Sequence, residues 1–371
     1  MPIRRWILTP LVIALFISAA VWLVPVIAQQ QQQQPPKVDK KVAKGQNFDI
    51  QQVKNAADAA RAGNVATEIA ATFRCDFLKA QEGRTYVPFT ITVDAAQMPA
   101  SRSLNMFVRV VNTALGAPPP LPGDAKKDSK DAKNQPPRNE HPEYVFQQLY
   151  LVNPPAAAPG QPYKISRSFA VPAGEYEVYV VLKERLPYDA KDREKTPTKT
   201  GAVKQAVTVP NFWTTDLATS SVILSEKVEG LSQPLTAQEA AEQPYTFGIT
   251  QIVPASSTKL SKKTDLSVVF LVYNTGLDAN KKPDVTIEYS FYQKVADAEK
   301  GEKFFNKTIP QVFSAATLPT QFDPAMGHQL VAGQSVPLGS FPEGEYRLEI
   351  KVTDKLTGKT LTHNVQFFVA V

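Results

Sequence analysis

The feature that most constrains this chain is a two-residue alternation of apolar and polar side chains, repeated in short segments from residue 69 to the C terminus. In the clearest example, residues 285–292, Val, Ile, Tyr and Phe alternate with Thr, Glu, Ser and Tyr. Successive side chains of a β-strand point to opposite faces, so each segment predicts a strand with one buried face. One set of segments ends at residue 209 and a second begins near residue 245. The pattern predicts an all-β chain of two tandem immunoglobulin-like antiparallel β-sandwiches.

Residues 1–28 have the composition of an export signal. A basic start that carries Arg4 and Arg5 precedes a long stretch without charge, and the stretch ends in Val-Ile-Ala at Ala28, which suits signal peptidase. We therefore expect cleavage after Ala28. The alternative is an uncleaved membrane anchor formed by residues 6–28. Both readings predict an exported protein that is periplasmic, on the cell surface or secreted.

Composition and periodicity divide the rest of the chain. Six glutamines and two prolines predict a disordered tether, and a thin apolar stripe at helical spacing predicts a short helix after it. A proline-rich segment with interleaved Asp and Lys, residues 116–142, predicts a disordered insertion in the first sandwich. The predicted boundaries are a tether at 29–47, a helix at 48–63, a first sandwich at 64–225, a linker at 226–243 and a second sandwich at 244–371.

Two copies of a Pro-x-Gly-x-Tyr motif stand at the start of late strands, 170 residues apart. Proline and glycine set a tight turn, and the tyrosine hydroxyl can reach back to close the corner between two sheets. This explanation favours a structural role of the motif over a role in ligand binding. The predicted corner residues are Pro172, Gly174, Tyr176, Pro342, Gly344 and Tyr346.

The sequence contains no recognisable catalytic, metal or cofactor motif. His141, His328 and His363 are far apart, and none has a second histidine or cysteine at ligand spacing. The single cysteine, Cys75, excludes an intramolecular disulfide and alternates with phenylalanines, which predicts a core thiol. We expect a protein that is not an enzyme and has no cofactor.

The net charge of the chain does not indicate a particular class of partner. The formal net charge of +6 falls to +4 when the signal leaves with its two arginines, a mild excess that gives no reason to expect nucleic acid. A charged hairpin loop at residues 186–201 is more informative, because binding residues often lie on loops held by a rigid β scaffold. The candidate interaction residues in this loop are Asp189, Lys191, Asp192 and Arg193.

A family resemblance lies just beyond this loop. The run from Val207 through Pro210-Asn211-Phe212 to Leu224, with the Pro-x-Gly-x-Tyr strand before it, resembles the non-catalytic β-rich regions of large secreted proteins of the Acidobacteria. Those regions often accompany a von Willebrand factor A-related domain. That domain is missing here, because the sequence has no Asp-x-Ser-x-Ser metal motif. The resemblance implies a β-rich fold and no enzyme activity.

These observations predict an envelope-associated scaffold or protein-interaction module whose partner is an envelope protein or a polysaccharide. Membrane contact is expected only through the N-terminal segment if it stays uncleaved. One alternative is a carbohydrate-binding module, although Trp213 is the only tryptophan after residue 28. A second alternative is a hydrolase whose site leaves no sequence signature.

Overall fold

The computed structural model describes residues 40–115, 141–158, 160–188, 190, 192–295 and 301–371. They form two compact units. The N-terminal unit contains residues 40–75 and 89–211, and the C-terminal unit contains residues 76–88 and 212–371. The predicted signal, residues 29–39 of the predicted tether and residues 116–140 of the predicted insertion lie outside the described residues.

The fold is mostly β, with antiparallel sheets and a helix at its start. The elements up to residue 209 are α1 (Lys40–Arg61), β1 (Ala71–Cys75), β2 (Leu78–Lys79), β3 (Arg84–Val93), β4 (Leu104–Asn112), β5 (Tyr144–Val152), β6 (Tyr163–Pro172), β7 (Gly174–Glu184) and β8 (Thr200–Val209). The elements that follow are β9 (Ala218–Thr219), β10 (Ile223–Gly230), α2 (Ala237–Glu242), β11 (Thr246–Phe247), β12 (Thr250–Pro254), β13 (Lys259–Ser261), β14 (Asp265–Tyr273), β15 (Val285–Lys294), β16 (Glu302–Lys307), β17 (Gln311–Phe313), β18 (Leu330–Pro337), β19 (Gly344–Asp354) and β20 (Thr360–Ala370).

In the N-terminal unit, the strand β4 is buried on both faces. It lies inside a sheet of order β5-β4-β7-β8. On one face, Val53 and Ala57 of α1 pack against Phe107 of β4. On the other face, β1 and β6 flank β3 in a second sheet, and the ring of Phe169 on β6 lies 5.8 Å from that of Phe146 on β5. The helix and the second sheet thus cover opposite faces of the first sheet.

The helix α1 begins at Lys40, earlier than the predicted start at residue 48, so the end of the predicted tether is helical. The sequence of these first turns has no apolar stripe, so tertiary contacts stabilise them as a helix. The Arg193 guanidinium donates to the carbonyl oxygen of Gly45 at 3.2 Å and pairs with Asp49 at 2.6 Å. These bonds hold the early turns of α1 against the loop that follows β7.

The C-terminal unit has two sheets around one apolar core. One sheet has the order β11-β12-β10-β14-β18, and the other has the order β13-β20-β19-β15-β16. Phe270 of β14 and Tyr289, Ile350 and Phe367 of the second sheet belong to the same buried cluster. One pairing departs from the antiparallel prediction, because β13 runs parallel to β20. The consecutive strands β19 and β20 form an antiparallel hairpin.

A segment from early in the sequence completes the C-terminal unit. Residues 76–88 contain β2 and the start of β3, and they place Leu78 in a cluster on the outer face of β14. The amide of Phe77 donates to Ser221 Oγ at 2.9 Å, and the Tyr245 hydroxyl donates to Asp76 Oδ2 at 2.9 Å. The side chains of Asp76 and Tyr245 are both buried. We call this segment the inserted hairpin.

The unit boundaries differ from the predicted domain boundaries because of these long-range pairings. The prediction assigned residues 64–225 to one sandwich, whereas the inserted hairpin and the residues from 212 onward belong to the C-terminal unit. The predicted linker at 226–243 contains most of β10, which pairs with β12 and β14, and all of α2. Periodicity within a segment carries no information about which distant strand it joins.

Candidate functional site

The loop between β7 and β8, residues 185–199, carries the four predicted interaction residues. Asp189 and Lys191 lie outside the described residues. Asp192 is exposed and adopts a positive φ of 51°. Its carbonyl oxygen accepts bonds from the amides of Lys195 at 2.8 Å and Thr196 at 3.0 Å, which closes a tight turn.

Arg193, the fourth predicted residue, points inward. Its side chain is 9% exposed and that of Asp49 is 5% exposed. The guanidinium also donates to the carbonyl oxygen of Leu186 at 3.3 Å and lies over the ring of Tyr188 at 5.0 Å. The guanidinium of Arg193 thus ties the described part of the loop to α1.

A polar cleft of about 240 Å³ lies between α1 and this loop. We call it the helix–loop cleft. Its walls come from α1, from the end of β7 and from the β7–β8 loop, and they are formed by Phe48, Asp49, Gln52, Lys183, Glu184, Leu186 and residues 193–198. The predicted loop therefore meets side chains that are distant in sequence, and sequence analysis missed both Asp49 and Lys183.

Lys183 is the half-buried cation of the cleft. Its ammonium donates to Thr198 Oγ1 at 2.7 Å and to Thr200 Oγ1 at 3.4 Å. Burial lowers the pKa of Lys183, because the protein removes water that stabilises the charged form. The hydroxyls of Thr200 on β8 and of Thr198 just before it therefore orient the partly desolvated ammonium of Lys183.

The two corner tyrosines make the same contact. The Tyr176 hydroxyl donates to the carbonyl oxygen of Pro172 at 2.9 Å, and the Tyr346 hydroxyl donates to that of Pro342 at 2.9 Å. Both tyrosines are buried. Gly174 and Gly344 each lie between the proline and the tyrosine of their motif. Their φ values are 155° and 147°, a backbone conformation that residues other than glycine rarely adopt.

Trp213 bears on the carbohydrate alternative. Its side chain is about half exposed, but the Lys79 ammonium lies 4.6 Å from the ring centroid and covers one indole face. The indole N–H donates to the carbonyl oxygen of Arg84 at 3.1 Å. A sugar that stacks on this residue would have to use the opposite face.

The histidines and the cysteine occupy separate local environments. His363 Nε2 lies 2.7 Å from Thr219 Oγ1, and burial lowers the pKa of this histidine. His328 Nδ1 accepts a bond from the Asp323 amide at 2.9 Å. Cys75 is partly buried on β1. Within the described ranges, no three His, Cys, Asp or Glu side chains are grouped to hold a metal ion.

The comparisons with known proteins give only distant likenesses. No family model and no curated protein matches the chain. A crystal structure of Salmonella alpha-2-macroglobulin reacted with methylamine covers 82% of this chain, at 13% identity and a TM-score of 0.19. A cryo-EM reconstruction of native E. coli alpha-2-macroglobulin also covers 82%, at 12% identity and a TM-score of 0.19.

This chain spans 17% and 16% of those two macroglobulin chains. The resemblance to secreted acidobacterial proteins stays a prediction. In the part of the chain that the structure describes, no helix is long and apolar enough to cross a membrane.

Proposed function

We propose that this protein is an exported, non-enzymatic scaffold or interaction module of the cell envelope, built on two immunoglobulin-like sandwiches, and that it contacts a protein partner at the helix–loop cleft. The export part of the proposal rests on the sequence of residues 1–28. N-terminal sequencing of the mature protein tests it: a chain that begins at Gln29 supports cleavage, and an intact Met1 on a membrane-bound protein supports the anchor.

One observation carries the binding part of the proposal. The buried Arg193–Asp49 pair fastens a charged loop to α1, and the fastened loop forms a wall of a polar cleft. A loop that is ordered before binding loses less conformational freedom when a partner arrives, so it binds more tightly than a mobile loop of the same composition. The immunoglobulin-like part is supported by the two sheets that share one core in the C-terminal unit.

The test is affinity capture from the native envelope with charge-swapped variants. Asp192 and Lys195 form an exposed ion pair at the rim of the cleft, 3.9 Å apart, so the double variant Asp192→Lys, Lys195→Glu keeps a local pair and inverts the charges that a partner meets. The matched control swaps another exposed pair in the C-terminal unit, by Lys294→Glu and Glu345→Lys.

We expect the rim variant to lose a specific captured protein and the control to retain it. Equal capture by both variants would show that the cleft is not the contact surface. Capture that disappears after glycosidase treatment of the envelope would point to a polysaccharide partner and replace the protein in the proposal.

A further inference from the structure

The three cations that line the helix–loop cleft differ in their partners. Arg193 pairs with Asp49 at 2.6 Å, and Lys195 has Asp192 at 3.9 Å. Among the described residues, the Lys183 ammonium contacts no carboxylate within ion-pair distance, and threonine hydroxyls are its only side-chain partners. An ammonium has three N–H donors, so one donor of Lys183 has no partner among these residues.

The carboxylates of the cleft are already engaged. Asp49 is held by Arg193, and Glu194 pairs with Lys44 of α1 at 3.0 Å. Glu184 Oε2 accepts a bond from the Lys199 amide at 3.4 Å. Lys183 is therefore the one cation in the described wall of the cleft that lacks an anionic partner.

A second polar group lies opposite this lysine in the sheet but outside the lining of the cleft. Asn105 on β4 is directly opposite Lys183 on β7 in the antiparallel register, so the two side chains project from the same face of the sheet. Asn105 is completely buried, and neither atom of its amide has a hydrogen-bond partner in the part of the chain that the structure describes. Because Asn105 is completely buried and does not line the cleft, a ligand in the cleft does not reach its amide.

We propose that the helix–loop cleft binds a carboxylate of an acidic peptide segment, with Lys183 as its charge partner. This inference rests on the proposed function and specifies its ligand. A singly charged carboxylate fits one ammonium, whereas the carboxylates of Glu184 and Glu194 in the same wall repel a dianion such as phosphate more strongly. The volume of the cleft equals that of about eight liquid water molecules, which is enough for one acidic side chain.

The probe is N-acetyl-glutamate amide, titrated into the ¹⁵N-labelled full chain and followed by amide chemical shifts. N-acetyl-glutamine amide is the matched neutral probe. We expect the glutamate probe alone to shift amides of Phe48, Gln52 and residues 183–198. Shifts confined to other residues, or equal shifts with both probes, would overturn the proposal whether or not any variant folds.

Two lysine variants then assign the charge partner. Lys183→Met keeps the aliphatic stem and removes the charge, and we expect it to weaken binding of the glutamate probe at least about tenfold, the loss of one charged hydrogen bond. Lys195→Met lines the same cleft and should change the affinity less than about twofold, because an exposed, partnered lysine adds little. Equal effects of the two variants would overturn the role of Lys183.

Further probes separate the sources of a carboxylate and the two proposals. Glucuronate presents a carboxylate on a sugar, and preference for it over the glutamate probe would overturn the acidic peptide. If the glutamate probe fails while the rim charge swap still abolishes capture, only the carboxylate inference falls. If the glutamate probe binds while the rim charge swap leaves capture unchanged, the proposed partner surface is wrong and the carboxylate site is supported.

Discussion

The hydroxyl of Tyr346 donates a 2.9 Å hydrogen bond to the carbonyl oxygen of Pro342, four residues earlier in the chain. Tyr346 is completely buried, and its ring packs edge-on against Phe341. The bond satisfies a carbonyl at the turn before β19 and holds that turn against the core. The same bond between Tyr176 and Pro172 does this before β7.

Removal of this hydroxyl should therefore destabilise the C-terminal unit. We expect Tyr346→Phe to cost about 0.5–1.5 kcal/mol in the free energy of unfolding, the net contribution of one hydrogen bond, because the Pro342 carbonyl loses its partner. Denaturant unfolding followed by Trp213 fluorescence measures it. Tyr292→Phe is the control, since the Tyr292 hydroxyl makes no hydrogen bond among the described residues. An unchanged Tyr346→Phe midpoint would contradict the structural role.

Alkaline pH should destabilise the same unit. Burial raises the pKa of Tyr346 to about 12, whereas an unfolded tyrosine titrates near 10. Between these values the unfolded chain releases the proton and the folded chain keeps it, so the stabilisation present below pH 10 is lost as the pH rises through 12. We expect unfolding free energies of wild type to fall more steeply than those of Tyr346→Phe, by up to about 1.4 kcal/mol per pH unit. Parallel curves would show that Tyr346 ionises alike in both states.

Loss of the Asp49 carboxylate should release the β7–β8 loop. Asp49→Ala leaves the Arg193 guanidinium buried without its charge partner, and breaking such a buried pair costs about 3–5 kcal/mol. Lys44→Ala removes the exposed Lys44–Glu194 pair from the same helix and loop, and it should cost less than about 1 kcal/mol. Denaturant melts give the free energies, and hydrogen exchange of residues 185–199 shows whether the loop opens. Equal costs would mean that the Arg193 contact does not hold the loop.

The inserted hairpin should be part of the core of the C-terminal unit. Leu78 is 1% exposed, and Leu78→Ala should cost about 2–5 kcal/mol by leaving a cavity against β14. Leu277→Ala, at an exposed leucine of the same unit, should cost less than about 0.5 kcal/mol. Trp213 fluorescence follows the unfolding of this unit in both variants. A small effect of Leu78→Ala would show that the hairpin is dispensable.

The alternation in the sequence predicted most strands because most of them bury one face more than the other, although β4 is buried on both faces. Residues 285–292 form the first eight residues of β15, with Ile287 and Tyr289 completely buried, as a period of two requires. The alternation from residue 69 to residue 77 does not correspond to one continuous strand. There β1 ends at Cys75, and Asp76 turns to accept a bond from Tyr245, a residue that is far away in the sequence.

The candidate site was predictable only in part for the same reason. The charged composition of the β7–β8 loop pointed to Arg193, but nothing near it in the sequence names Asp49 as its partner. Lys183 is one residue in a strand of alternating side chains, and it is distinguished by the fact that no described carboxylate lies within ion-pair distance of its ammonium. That property depends on α1 and the loop meeting in three dimensions.

The inserted hairpin also determines when parts of the chain can fold during synthesis. Residues 76–88 leave the ribosome early, but the strands they complete, β10 and β14, come more than a hundred residues later. Until then, the apolar side chain of Leu78 and the carboxylate of Asp76 have no burial site, so the nascent chain must keep this segment soluble and unpaired. A single cut between the units cannot yield two complete pieces. Because the inserted hairpin lies within the sequence of the N-terminal unit, recombination at one site between the units would separate it from the rest of the C-terminal unit. The two units are therefore exchanged intact only as a pair.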